Sequence, residues 1–226
     1  MHDITISDLT ATKRPEHVSE CQRAILEIAA NNTKIICIHR KPNFEFGDVH
    51  IIDSKQKSYE NIYRQMLVAA KHATTPFVAV AEDDVFYSRE HFKLRPPLDT
   101  FLYNQARWAL FTWGVPTYSM RNRKSNCSLI APRELLIEAL EERFAKYPDG
   151  MPKEFVGELG RERVEKGLGV TLRKSMEVFS EVPIIQFNHE NASEERQSRR
   201  RKSLGQVKAF DIPEWGRADN LVSMFK

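Results

Sequence analysis

At 226 residues the chain can bury a sizeable core, in one large domain or in a domain with a small appendage. With 41% hydrophobic and 29% charged residues it reads as an ordinary globular protein, and no run approaches the roughly 18 apolar residues that span a bilayer. A net charge of +3 is too small to argue for nucleic acid by itself, but most of the excess sits late in the chain. Cys21, Cys37 and Cys127 are odd in number and far apart, which fits neither a disulfide framework nor a zinc ribbon. The first residues lack a basic start followed by an apolar stretch, so no secretory signal is expected and a cytoplasmic location is the default expectation.

Ile4-Thr5-Ile6 is a short β-prone segment, followed by a polar turn from Ser7 to Arg14 and by Pro15, which suits the first position of a helix. Val18, Cys21, Ile25 and Ile28 recur at helical spacing and predict the buried face of that helix. Ile35 to Ile38 and Val49 to Ile52 read as buried strands. The clearest helix carries Tyr59, Ile62, Tyr63, Met66, Ala70 and Ala73 along one face; Thr74-Thr75-Pro76 ends it, and Phe77 to Ala81 is a fourth strand. This β-α-β-β-α-β order predicts a mostly parallel α/β sheet covered by helices.

The second half is less regular. Strands are expected over Trp108 to Trp113 and Cys127 to Ala131, then a helix from Arg133 to Tyr147 with Leu136, Leu140 and Phe144 inward. A further helix is expected around Glu154 to Lys166, and a last strand over Val182 to Phe187, with Pro183 placing it at an edge or a strand start. The expected organisation is one catalytic domain over 1–190, with a basic, mobile extension over 191–226.

The stretch from Phe77 to Tyr87 carries the strongest chemical signal, because a short apolar run ends in Glu82-Asp83-Asp84. The carboxyl end of a buried strand is where open α/β sheets place ligands. Three like charges there repel one another unless something positive sits among them, and a divalent cation carrying a phosphorylated substrate resolves this. The alternative is a solvated acidic turn after a core strand.

The element order and the acidic turn together resemble the GT-A fold glycosyltransferases, nucleotide-sugar enzymes whose Rossmann-like first half ends in an Asp-Xaa-Asp motif. The resemblance spans roughly residues 3 to 190, with 1–90 as the nucleotide-sugar-binding half and 91–190 as the acceptor half. Thr10 to Pro15, including Arg14, is similar to the family's nucleotide-binding turn. Arg64 sits where many members carry Ala-Arg-Asn-Xaa-Gly, although Gln65 replaces the usual Asn and the glycine is absent. Glu82-Asp83-Asp84 occupies the Asp-Xaa-Asp position with Glu first. The resemblance implies a nucleoside-diphosphate sugar donor, by family default a uridine-linked hexose, with Mn²⁺ or Mg²⁺ as cofactor. That cation neutralises the leaving diphosphate as a Lewis acid. Asp84 is its chief expected ligand, with Asp83 beside it and His189 as the late ligand that the family often supplies after a strand. Glu82 and Asp83 also belong to the expected donor site, and His39, ending the second strand beside Arg40, is expected near the uracil.

Inverting members carry a Glu-Asp pair at a helix start, where a carboxylate takes the proton from the acceptor hydroxyl. Glu158 aligns with it by position and is the expected base, although Leu159 stands where the Asp would be; Glu154 is second. For the acceptor, Arg196, Arg199, Arg200, Arg201 and Lys202 form one basic cluster, and Arg121, Arg123 and Lys124 a second. Clusters of this size neutralise several phosphates. Without a membrane anchor, the chain resembles the base J and TET-associated DNA glycosyltransferases, many of them phage-encoded, which place sugars on hydroxymethylated pyrimidines. That would put it in the host cytoplasm. DNA is then the expected acceptor, with Trp113, Tyr118 or Trp215 available to stack on an extruded base. Two alternatives are the same fold acting on a saccharide or lipid-linked acceptor, and a non-catalytic nucleic-acid-binding domain.

Overall fold

The computed structural model describes residues 3–9, 16–40, 44–54, 58–188 and 207–224. The first half runs β1 (Ile4–Leu9), α1 (Glu16–Ala30), β2 (Ile35–His39), β3 (Val49–Ile52), α2 (Tyr59–His72) and β4 (Phe77–Glu82), the order expected from the sequence. The second half adds β5 (Val85–Phe86), β6 (Thr100–Asn104), β7 (Arg107–Phe111), β8 (Tyr118–Met120), β9 (Leu129–Pro132), α3 (Arg133–Lys146), α4 (Glu162–Leu168), β10 (Lys174–Val178) and β11 (Ile184–Asn188). Short strands β12 (Lys208–Ala209), β13 (Asp211–Ile212) and β14 (Gly216–Arg217) and helix α5 (Ala218–Ser223) follow.

A seven-stranded sheet in the order β10-β6-β9-β4-β1-β2-β3 forms the centre. Strands β1 to β4 pair in parallel, as do β6 and β10, and β9 alone runs antiparallel to its neighbours β4 and β6. The class is therefore a mostly parallel α/β sheet, covered on both faces. Alternation along each strand feeds two cores. Ile36, Ile38, Val78 and Val80 face a cluster with Tyr63, Met66 and Ala70 of α2 and Leu136 and Leu140 of α3. Ile35, Cys37, Ala79 and Ala81 face the opposite cluster, with Leu26, Ala29 and Ala30 of α1. Because both faces are buried, these strands are continuous apolar runs.

A second sheet, β12-β8-β7-β11-β5, packs beside the first. Phe86, Leu110, Tyr118, Ile185 and Phe187 cluster with Ile212, Ala218 and Val222. Residues 207–224 are tied to the body by β12 pairing and apolar packing. No helix among the described residues is long and apolar enough to cross a membrane.

Three other expectations change. The polar turn set at Ser7 begins later, because β1 stays paired with both β2 and β4 through Leu9. Helix α1 buries Val18 as expected, but with it Gln22, Leu26, Ala29 and Ala30 rather than the rest of the predicted stripe. Cys21 and Ile25 turn toward the second sheet's cluster, and Ile28 is 68% exposed. The helix expected from Glu154 to Lys166 is instead a short 3-10 turn over Lys153–Phe155, a loop, and α4.

Leu26→Ala should therefore cost about 2–5 kcal/mol, while Ile28→Ala should stay within about 0.5 kcal/mol, read by chemical denaturation. His91 is fully buried, with Tyr87 and Phe92 ring centroids at 5.3 and 5.0 Å, and burial pushes its imidazole down from 6.5 to about 3. Between those values the unfolded chain binds a proton that the folded chain does not, so stability is full above pH 6.5 and is lost as pH falls toward 3. The loss should reach on the order of 3 kcal/mol near pH 4 and be smaller in His91→Leu, measured as melting temperature against pH.

Candidate active site at the carboxyl end of the parallel sheet

From β1 the chain winds outward to β2 and β3, then crosses back to place β4 on the other side of β1. The strand order reverses between β1 and β4, and in open α/β sheets the crevice at the carboxyl ends of such a pair is the ligand site. Glu82 ends β4, the Asp83-Asp84 turn follows, and β5 belongs to the second sheet. The acidic turn is thus the joint between the two sheets.

Its backbone is tied on both sides. The Phe187 N–H of β11 donates to the Asp84 carbonyl at 2.8 Å. The Tyr87 hydroxyl accepts the Glu82 N–H at 2.9 Å and donates to the Cys127 carbonyl at 2.9 Å. Asp83 and Asp84 are 8% and 9% exposed, so the solvated-turn alternative is corrected. Glu82, Asp84 and Arg107 all act on the Cys127 thiol, which burial pushes up to about 12; the two acids reinforce that shift and the guanidinium opposes it. A further carboxylate joins this edge. Asp8, opposite Ala81 and Cys37 in register, is 1% exposed and accepts the Cys37 thiol at 3.3 Å. Sequence reading placed Asp8 in a turn; the continuing apolar pattern of its neighbours on β2 and β4 was the available signal.

At the ends of β2 and β3, buried His39 packs against Phe44, ring centroids 5.0 Å apart, and its carbonyl accepts the Asp53 N–H at 2.7 Å. The Asp53 carboxylate gathers the side-chain amides of Asn61 and Gln65 from α2, at 2.5 and 2.6 Å, with the Arg40 guanidinium at 3.7 Å. Asp53 was not expected from the sequence. Ser58 caps α2 by accepting the Asn61 N–H, which fixes the helix start above this edge. Arg64 is directed elsewhere: it pairs with Glu60 at 2.6 Å and lies over the Phe144 ring at 4.1 Å. Thr10 and Arg14 lie outside the described residues.

Glu158 approaches from the loop before α4. Burial is the main cause that raises the Tyr63 hydroxyl, Asn126 lowers it by donating its amide at 3.1 Å, and Glu158 and Glu82 both raise it by their charge. Glu158 is half-buried and pairs with Arg161 at 3.0 Å. Glu154 sits exposed on the 3-10 turn.

The basic residues expected at an open cleft divide. Arg123 is exposed. Arg121 is 3% exposed, donates to Asn188 Oδ1 at 3.2 Å and lies beside Phe111. Lys124 donates to Ser175 Oγ at 2.6 Å. Arg196, Arg199, Arg200, Arg201, Lys202 and His189 lie outside the described residues. Among the expected stacking aromatics, Tyr118 is buried and donates to the Gly216 carbonyl, and Trp215 donates to the Pro183 carbonyl beside Phe86, so both belong to the second sheet's packing. Trp113 is half-buried against Phe111.

Among the described residues no three His, Cys, Asp or Glu side chains gather into a group that could hold a metal ion by themselves. Asp83 and Asp84 offer adjacent hard oxygen donors, which suit a Mg²⁺ or Mn²⁺ that takes its remaining ligands from water and a bound phosphate rather than from an all-protein cage.

No protein-family model matches the sequence, and no curated protein matches it. Among solved structures, one similar fold is a glycosyltransferase involved in the glycosylation of the major capsid of PBCV-1, with 9% identity, TM-score 0.49, and coverage of 88% of this chain and 97% of that one. Another is the glycosyltransferase GlyE of Streptococcus pneumoniae TIGR4, with 10% identity, TM-score 0.45, and coverage of 78% of this chain and 45% of that one. HddC from Yersinia pseudotuberculosis matches with 10% identity, TM-score 0.46, and coverage of 82% and 93%. At these values the fold rests on its own strand order and register. Asp53→Ala should leave the Asn61 and Gln65 amides without this acceptor and cost about 1–3 kcal/mol in chemical denaturation.

Proposed function

We propose that this protein is a GT-A-type glycosyltransferase that uses a divalent cation to move a sugar from a nucleoside-diphosphate sugar to an acceptor hydroxyl. The observation that carries this reading is the buried Asp83-Asp84 turn at the carboxyl end of β4, beside the point where the strand order reverses. His39, Phe44 and Asp53, at the ends of β2 and β3, would bind the nucleoside, with a uridine-linked hexose as the first donor to test. Asp83 and Asp84 would hold Mn²⁺ or Mg²⁺, which supplies Lewis-acid neutralisation of the leaving diphosphate when bound.

In the transfer step, the bond between the anomeric carbon and the diphosphate oxygen breaks and a bond to the acceptor oxygen forms. Glu158 takes the acceptor's proton, and the electron pair leaves with the diphosphate. We assign the acceptor to hydroxymethylated pyrimidines in DNA. That assignment is supported by exposed Arg123 and by the Arg196 to Lys202 cluster in the sequence, rather than by the geometry of the edge.

A panel of nucleotide-sugars with and without Mn²⁺ tests donor, cation and activity together; divalent-dependent release of nucleoside diphosphate is expected, and its absence across the panel would sink the proposal. Glu158→Gln should lower transfer about 10²–10⁴-fold while donor binding persists. Radiolabelled transfer to hydroxymethylated DNA should exceed that to unmodified DNA or glycans and weaken with added salt. Preference for a glycan would reassign the acceptor and leave the donor chemistry standing.

A further inference from the structure

The loop that carries Glu158 has little regular backbone pairing, yet side chains from four elements hold it. Arg143 of α3 donates to the carbonyls of Gly157 and Glu158, at 2.8 and 3.5 Å. Tyr103 of β6 donates to the Leu159 carbonyl at 2.8 Å. Glu165 of α4 accepts the Gly160 N–H at 2.8 Å, and Ser175 of β10 donates to the Gly160 carbonyl at 2.6 Å. Leu159 is wholly buried and pins the middle of the loop. Gly160 has φ +67°, and a Cβ there would come within 2.8 Å of the Ser175 Cβ, so the turn is pressed against β10.

The central pair is costly. Arg143 and Glu165 lie 4.0 Å apart, each with a side chain only 1% exposed. Apolar residues of similar volume in place of such a pair are often as stable or more so, so stability alone does not account for it. It supplies a donor and an acceptor to backbone groups that regular structure leaves unserved. The second Glu165 oxygen accepts the Arg173 N–H at 2.8 Å, joining the loop to the segment that leads into β10 as well.

We propose that Arg143 and Glu165 are positioning residues that fix the loop, so that Glu158 is held in one place at this edge before any ligand binds. This rests on the reading of Glu158 as the proton acceptor. The pair makes the mount rigid before any ligand arrives, so the ordering cost is met in folding rather than in each turnover.

The test is an Arg143→Met/Glu165→Leu double variant, followed by hydrogen exchange of amides 158–161 and by transfer kinetics. Cooperative melting should persist, exchange should rise at least about tenfold, and kcat should fall about 100-fold with the donor KM within about twofold. Arg143→Lys should recover part of kcat. Unchanged exchange in the folded double variant overturns the proposal, as does a loosened loop with full kcat. If the double variant does not fold, Tyr103→Phe removes one loop bond with the ion pair intact and should show the same pattern at smaller size; no change in either readout there overturns it. Wild-type protein that transfers no sugar sinks the proposed function instead, and exchange alone then decides whether the pair holds the loop.

Discussion

Strand β1 is hydrogen-bonded along its length to β2 on one side and β4 on the other, and the arrangement of the carboxyl edge follows from where that double pairing stops. Parallel pairing carries Asp8 into line with Ala81 and Cys37, and Leu9 into line with Glu82. A polar residue brought so far into a central strand is cut off from water, so its neighbours must supply its hydrogen bonds, as the Cys37 thiol does. The same register sets the height at which β4 gives out and the Asp83-Asp84 turn begins.

That turn has a second constraint. The chain leaves the first sheet at Glu82 and enters the second at Val85, so the two aspartates occupy the only two residues between them. Strand β11 fixes the far side through the Phe187 amide, and Tyr87 fixes the near side through Glu82 and Cys127. The backbone of the joint is thus held on both sides of the two aspartates.

The second sheet contributes polarity as well as packing. One face closes on α5 and Trp215; the other carries Arg107, which is fully buried and donates to Gln186 at 2.5 Å and to the Arg123 carbonyl at 3.0 Å. Its charge opposes those of Glu82 and Asp84 at Cys127, so the acidic joint is built against a basic interior. Opposite it, the Arg143-Glu165 pair anchors the Glu158 loop. Charged groups of both signs are thus buried around one edge, where electrostatic interactions are strong because water is excluded.

The sequence by itself determined the alternation of the first half, the whole of α2 and the position of an acidic turn at the end of a buried strand. These are local matters: runs of Ile and Val, a 3.6-residue stripe and a Thr-Thr-Pro stop are read from neighbours along the chain. It did not reveal Asp8 and Asp53 at the edge, the burial of Arg121, the second face of α1, or that Glu158 sits on a loop. Each of these depends on partners far away in the chain: β4 for Asp8, α2 for Asp53, Asn188 for Arg121, the second sheet for Cys21 and Ile25, and Tyr103 and Arg143 for the loop. Tertiary structure decided them because burial and hydrogen bonding depend on which surfaces meet, and a local pattern cannot encode the surface it will meet.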